Sequence, residues 1–365
     1  MKFLIKPEAE YTYPVSALKK ISCRKPFIWF EVLANGDVMH CCPPWLPKVF
    51  SNILVDSFER VVENLERTNL LNNIRNGDFS ECNDYCHYLN SYLTSGTVEW
   101  PLVEKDNLDN LLDKEGYYVV FAYDRSCNLQ CPSCRKELIV HRPTSSTDPL
   151  VIIHENVKKL IELLLSTSKE VTVVITGSGD PFASPLYWDY LLELSKKKLP
   201  DTFKIQLLTN GVMMTEQMWN SIPSLWGHIS YISVSIDAAS QEVYSVVRKN
   251  GNILKVKKNL EYLDSQILDK KFPNLKGWNS NFIVQSANFF EMEEFVRWQL
   301  EYKSLSHVEL SLLAHWGHLS LNEFRSMYIT DAGKLSAILV LPIFSDPRVK
   351  LGNLSSYLTH NSNQQ

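Results

Sequence analysis

The sequence predicts an α/β protein: a partial (βα)6 parallel barrel preceded by a small α+β domain rich in cysteine. Three observations carry this expectation. From residue 117 onward, short apolar runs alternate with segments of helical periodicity, the pattern of successive βα units. Five cysteines, at 23, 41, 42, 82 and 86, precede that region, and the remaining three sit together at 127, 131 and 134. A chain of 365 residues is long enough to bury a full α/β barrel and a small accessory domain.

Composition narrows the function classes. The chain is 45% hydrophobic and 21% charged, ordinary for a globular protein. A net charge of −4, with no lysine or arginine stripe interleaved with aromatics, argues against a nucleic-acid partner. Lys255, Lys257, Lys258, Lys270 and Lys271 read as solvated helix faces. No uncharged run approaches the length of a membrane span, and residues 336–344, among the longest, hold a proline. The N-terminus meets charge too early for a signal-peptide core. The expectation is a cytoplasmic protein without a membrane partner, whose cysteines stay reduced and bind metal instead of forming disulfides.

Element by element, residues 1–20 read as an N-terminal arm and 21–95 as a separate small unit. Within that unit residues 27–33 are strand-like, and Asn35-Gly36 is a hairpin turn signal before a second strand at 37–40. Pro43, Pro44 and Pro47 then break regular structure. Asp56-Ser57 precede a helix with Phe58, Val61, Val62 and Leu65 at helical spacing. Cys82 and Cys86, four apart, would share one face of a helix. Residues 96–116 read as a linker. The barrel core is expected over 117–320, with strands at 117–123, 171–176, 203–208, 231–236, 281–285 and 308–313. Helical segments such as 157–165 and 187–197 separate them, which places a site at the C-terminal strand ends. Residues 321–365 read as an irregular extension.

The chemistry centres on the run from Cys127 through Cys131 to Cys134, a C-x3-C-x2-C spacing directly after the first core strand. Three thiolates this close together can reach three corners of one iron–sulfur cube. A cubane has four irons, so one iron stays open for a small molecule. A closed electron-transfer cluster takes a fourth cysteine, and the chain has none after Cys134. Zinc is the competing metal, since Cys131 and Cys134 form a C-x2-C pair with His141 as the one close histidine.

The spacing and its place after a strand resemble the radical S-adenosylmethionine (radical SAM) superfamily. Many members carry an aromatic residue before the third cysteine, where this chain has Ser133; the variant Cys-Pro-Ser-Cys-Arg also occurs in the family. The resemblance implies a [4Fe-4S] cluster on Cys127, Cys131 and Cys134, whose open iron chelates the amino and carboxylate groups of SAM. Residues 21–95 are similar to the SPASM domain, which holds an auxiliary [4Fe-4S] cluster. The similarity lies in Cys23 before a strand, the hairpin ending in Cys41 and Cys42, the segment from Asn52, the run Ile74 to Phe79, and the closing pair Cys82 and Cys86. In familiar relatives this module follows the barrel, whereas here it precedes it. The implied ligands are Cys23, Cys41, Cys82 and Cys86, with Cys42 a substitute or spare thiol. A zinc ribbon on the same cysteines is the alternative.

The same resemblance assigns the cofactor contacts. Gly177, Ser178, Gly179 and Asp180 occupy the place of the glycine-rich motif that binds the amino group of SAM, although an ordinary βα loop explains them too. Asn210 stands in a turn after the third strand. Ser233, Ser235 and Asp237 alternate along the fourth strand and so share one face. Ser235 and Asp237 would meet the carboxylate or ribose of SAM, and Arg248 its carboxylate through paired donors. Gln285 and Asn288 are weaker candidates for adenosine or substrate, and His315 and His318 for a substrate pocket or a structural role. The family chemistry is reductive cleavage of SAM to a 5′-deoxyadenosyl radical that takes hydrogen from a peptide, sugar or small metabolite. Oxidation, epimerisation or cross-linking follows, with flavodoxin or ferredoxin as electron donor. Cys42 is a candidate hydrogen donor to the substrate radical. The reading from another class is a non-catalytic zinc-binding or iron–sulfur redox-sensing protein.

Overall fold

A computed structural model describes residues 15–84, 86–315 and 319–355. The chain divides into two compact units, each assembled from three stretches of sequence.

The first unit takes residues 1–124, 143–178 and 200–204. Its strands are β1 (Ile21–Cys23), β2 (Trp29–Leu33), β3 (Asp37–Met39), β4 (Val49–Asn52), β5 (Leu102–Glu104), β6 (Tyr117–Ala122) and β7 (Val171–Ile175). The strands β7-β6-β2-β3-β4 are neighbours in that order, and β1 pairs with β5 separately. β6 runs parallel to both β7 and β2, whereas β2, β3 and β4 form an antiparallel meander. All five residues of β7 are buried, which explains its unbroken Val-Thr-Val-Val-Ile run. The helix Pro149–Leu165 starts where Asp148 caps Leu150, and it buries Ile153, Val157, Leu160, Ile161 and Leu164 along one stripe. Gly36 holds the hairpin turn at φ 85°, and a Cβ there would meet Asn52 Oδ1 at 2.7 Å.

Several local expectations change here. Phe27 and Ile28 belong to a short helix, Lys25–Ile28, because Pro26 presets the first turn; the strand begins at Trp29. The helix at Phe58 stops at Val62, and Asn64 caps a second one, Leu65–Arg75. Cys82 lies in a turn and Cys86 is the cap of helix His87–Ser95, so the two do not share a helix face. Residues 96–116, expected as a linker, contribute β5 and the helix Leu108–Lys114. The hairpin expected to stand apart joins the core through β2, which pairs with β6 from Trp29↔Tyr118 to Leu33↔Ala122.

The second unit takes residues 125–142, 179–199 and 205–365. Its strands are β8 (Phe203–Thr209, whose first two residues belong to the first unit), β9 (Ile229–Ser235), β10 (Trp278–Val284), β11 (Leu305–Leu312) and β12 (Val349–Lys350). They are neighbours in sequence order, and every pair is parallel. Helices Glu216–Asn220, Gln241–Val247, Ile253–Leu268 and Met292–Leu300 make the crossovers. Lys255, Lys258, Lys270 and Lys271 are exposed as expected, and Lys257 lies over the Trp298 ring. The extension is more ordered than expected: helices Leu321–Met327 and Ala332–Leu339 lead into β12, which pairs Val349 with Val308 of β11. The fold is thus α/β with mostly parallel strands. Among the described residues no helix is long and apolar enough to cross a membrane.

Candidate active site

The loop bearing Cys127, Cys131 and Cys134 has no regular secondary structure, so its shape rests on individual hydrogen bonds. Cys127 N donates to Ile139 O at 2.8 Å and His141 N to Ser126 Oγ at 2.7 Å, folding the loop back on itself. Gln130 N donates to Lys249 O at 3.0 Å, Gln130 Nε2 to Lys136 O at 2.6 Å, and Cys134 N to Cys131 O at 2.9 Å. Cys127 and Cys131 are buried, and Cys134 is partly exposed.

Each sulfur faces an N–H donor. Cys127 Sγ accepts from Leu129 N at 3.4 Å and Asn210 Nδ2 at 3.5 Å. Cys131 Sγ has Arg248 Nη1 at 3.9 Å, and Cys134 Sγ has Arg135 Nη2 at 3.5 Å. Burial pushes the Cys127 thiol up to about 12, with the Asp180 carboxylate adding to the rise. Burial also raises Cys131, against the pull of the Arg248 guanidinium. Two guanidinium groups and an amide aimed at the three sulfurs suit metal-bound thiolates, which metal coordination deprotonates. The donor set therefore fits an iron–sulfur cluster with three protein ligands.

Around the loop lie the C-terminal strand ends. Asp180 is fully buried and committed to the protein: Oδ1 accepts from Phe182 N and Ala183 N, Oδ2 from Thr209 Oγ1 and Asn210 N at 2.8 Å each. It therefore ties the start of its own loop to the end of β8, and Asn210 is delivered to Cys127 by that tie. Asp237, at φ 66°, accepts from Ile283 N at 2.8 Å and pairs with Arg248 Nη2 at 2.7 Å. Asn288 Nδ2 clamps Asp237 O and Ile283 O, while Gln285 N donates to Asn288 Oδ1. Ser233 accepts from Asn281 across the β9–β10 pair, and Ser235 ends β9 in register with Asn281.

Arg248 Nε, the Tyr244 hydroxyl and Gln285 Nε2 are among the buried polar atoms of this unit that have no partner among the described residues. Orphans of this kind cost free energy unless a ligand completes them. Tyr244 is the residue that sequence reasoning missed. Burial raises its pKa, with Cys131, Asp237 and Asp180 adding to the rise and the Arg248 guanidinium opposing it. The available signal was its i, i+4 relation to Arg248 on helix Gln241–Val247 and its cap. Gly251 makes room for the ring, since a Cβ there would meet Tyr244 Cε1 at 2.4 Å. Arg135, the residue after the third cysteine, was likewise not singled out.

Other expected residues fall elsewhere. Gly177 and Ser178 belong to the first unit, where Gly177 N continues the ladder to Phe121 O and Ser178 Oγ donates to Ala122 O at 2.9 Å. A Cβ at Gly177 would meet the Ala122 Cβ at 2.8 Å, so the glycine lets the chain hug β6. Gly179, at φ 93°, and Asp180 begin a stretch of the second unit. His315 donates from Nε2 to Leu319 O at 2.8 Å and packs on Phe324. His318 lies outside the described residues.

In the first unit Cys23, Cys41, Cys82 and Cys86 line one cavity together with Lys25, Trp45, Phe79 and Tyr88. Burial raises all four thiols, Cys23 to about 12. Cys42 is not part of that wall; its sulfur accepts from Lys25 Nζ at 3.1 Å. Among the described residues no three His, Cys, Asp or Glu side chains converge tightly enough to hold one metal ion.

Comparison with known proteins matches residues 124–271 to the family model of the Radical SAM superfamily. This stretch matches a radical SAM domain. It begins at the residue after Tyr123 and includes all three loop cysteines, Tyr244 and Arg248. The match to this family supports an enzyme and implies a [4Fe-4S] cluster and SAM as cofactors. A curated relative is the tungsten-containing aldehyde ferredoxin oxidoreductase cofactor-modifying protein of Pyrococcus furiosus, 23% identical over 190 residues, which are 50% of this chain and 48% of the relative. The chain thus spans about half the length of that relative. Among solved structures, a radical SAM methyltransferase from Sphaerobacter thermophilus aligns at 14% identity over 55% of this chain and 58% of its own, with a TM-score of 0.35. Methylornithine synthase aligns at 11% identity over 61% and 64%, with a TM-score of 0.36.

Proposed function

We propose that the protein reductively cleaves SAM and uses the resulting radical to take hydrogen from a peptide, sugar or small-metabolite substrate, leading to its oxidation, epimerisation or cross-linking. The observation that carries this reading is the three-thiol loop whose every sulfur meets an N–H donor, beside an arginine with one buried N–H still open. The cluster and SAM, when bound, supply one-electron cleavage of a carbon–sulfur bond and so a 5′-deoxyadenosyl radical.

The chain's own residues supply orientation and a dry surround. Arg248 is held by Asp237 and presents its guanidinium beside Cys131, which suits it to a carboxylate. Ser235, at the end of β9, is read as a contact of the same ligand. Backbone carbonyls of Gly179 and Asp180 are the candidates for its amino group, with the Asp180 side chain holding that loop in place. The four cysteines of the first unit are read as an auxiliary [4Fe-4S] site in a SPASM-like domain spanning residues 21–95. Cys41 is read as the ligand of the adjacent pair, because Cys42 turns to Lys25. Cys42 is then the spare thiol and the candidate hydrogen donor. The reading includes a cytoplasmic setting and a flavodoxin or ferredoxin as electron donor.

The test is iron and acid-labile sulfide analysis of anaerobically purified protein, followed by reduction with dithionite in the presence of SAM. Iron and sulfide in equal amounts and formation of 5′-deoxyadenosine are expected. Zinc without sulfide would end the proposal.

A further inference from the structure

Lys25 is only 3% exposed, although lysine is almost never fully buried without a partner. Among the described residues it makes no ion pair with a carboxylate. Its ammonium instead lies 3.9 Å from the Trp29 ring centroid, 5.4 Å from Trp45 and 5.8 Å from Trp100, with the Cys42 sulfur at 3.1 Å. Tyr118 and Tyr88 extend this aromatic wall, stacking on Trp29 and meeting Trp45 edge-on. Glu31 is the acid that faces the pair. Its carboxyl accepts from Trp29 Nε1 at 3.1 Å, and burial raises its pKa toward the neutral form. The positive charge is therefore held in place by aromatic faces and left largely uncompensated.

The same lysine lines the cavity of Cys23, Cys41, Cys82 and Cys86, and the rest of that wall includes Trp45, Leu46, Phe79 and Leu102. Four thiolates on an iron–sulfur cubane carry net negative charge, more of it in the reduced state. A fixed cation in an apolar wall favours the reduced state most, because the low dielectric leaves the attraction poorly screened.

We propose that the ammonium of Lys25 is a built-in counter-charge to a cluster held by Cys23, Cys41, Cys82 and Cys86, and that it raises the reduction potential of that cluster. The inference rests on the auxiliary-cluster reading above. It makes Lys25 a positioning residue for electron flow that binds no iron itself.

The experiment uses full-length, anaerobically reconstituted protein in which Cys127, Cys131 and Cys134 are all replaced by alanine, so that only the second cluster remains. Iron and sulfide are counted first; a variant that binds neither defeats the auxiliary-cluster reading itself. The midpoint potential is then followed by electron paramagnetic resonance in a redox titration. Lys25→Met should bind the same iron and shift the midpoint to a more negative value. Lys25→Arg, which keeps a cation able to stack on tryptophan, should stay near the parent. An unmoved midpoint in Lys25→Met with full iron would overturn the proposal. If Lys25→Met loads no cluster, Lys25→Gln takes its place, and failure of both to load would overturn it in favour of a role in assembly.

Discussion

Tyr244 and Arg248 leave the same helix one turn apart, and each carries a buried N–H or O–H without a partner. Removing only the hydroxyl, in Tyr244→Phe, should weaken SAM binding by about 1 kcal/mol, roughly five-fold in Kd, with iron content unchanged. Calorimetric titration of the loaded protein decides this, and an unchanged Kd would return Tyr244 to packing. Arg248→Ala should cost more, roughly 2–5 kcal/mol, since it also strands the buried Asp237 carboxylate. The thiols offer a separate check in metal-free protein. With Cys127 raised to about 12 and Cys131 raised by burial, both stay protonated at pH 8. Iodoacetamide should label the partly exposed Cys134 first. Labelling of Cys127 should accelerate only at alkaline pH; rapid labelling at neutral pH would contradict the burial.

How far such residues were legible follows from chain distance. Cys127, Cys131 and Cys134 declare themselves because their spacing is local. Asp237 and Arg248 were named, but their mutual pairing depends on how the helix Gln241–Val247 between them is placed. Asp180 read as a ligand contact, and only the fold reveals four donors converging on it from β8 and its own loop. Tyr244 stayed hidden because a tyrosine among valines reads as core.

Among the elements, β2 and β3 enclose His40, which is fully buried, with Nδ1 against Trp29 O at 2.9 Å and Nε2 unpartnered. Burial, reinforced by the Arg67 guanidinium, holds its pKa well below the ordinary 6.5. The unfolded chain then binds a proton below pH 6.5 that the folded one refuses. His40 therefore favours the fold above that pH, and the stability is lost as pH falls through the acid side. The loss should approach about 1.4 kcal/mol per pH unit, read by urea unfolding at several pH values. His40→Phe should flatten that slope, and an identical slope would sink the assignment. Cap residues act at the same scale: Asn64→Ala should cost about 1 kcal/mol, because its side chain satisfies Arg67 N at 2.8 Å. The core strands were legible within one to three residues from their apolar runs, β7 most plainly because all five of its residues are buried. The helix Lys25–Ile28 was not, because four residues of Lys-Pro-Phe-Ile next to a strand carry no periodicity to read.

For the whole molecule, the pairing of β2 with β6 bears on how the chain can be cut. Expressing residues 117–365 alone would strip β6 of its parallel neighbour and expose the edge that Phe30 and Val32 cover. Such a fragment should be insoluble or aggregate on size-exclusion chromatography, whereas a freely soluble monomer would make the cysteine-rich segment a detachable module. Replacing Cys127, Cys131 and Cys134 together should remove about half the iron if two cubanes are present. Full retention would relocate the catalytic cluster. The α/β class was readable from the alternation of elements. The course of the chain was not: it leaves the first unit and returns to it twice, and such returns depend on contacts far apart in sequence.

The cysteine loop has no helix or strand, yet it is cross-braced by its own backbone and by Gln130, Ser126 and Arg135. Those bonds do not involve sulfur, so they form as the polypeptide folds. The entropy of ordering the loop is then spent before iron arrives, and assembly of the cluster has only to fill a socket. A folded, metal-free protein should accordingly take up iron and sulfide with little change in circular dichroism. Loosening a brace remote from the metal, as in Gln130→Ala, should slow that uptake while leaving all three thiols in place.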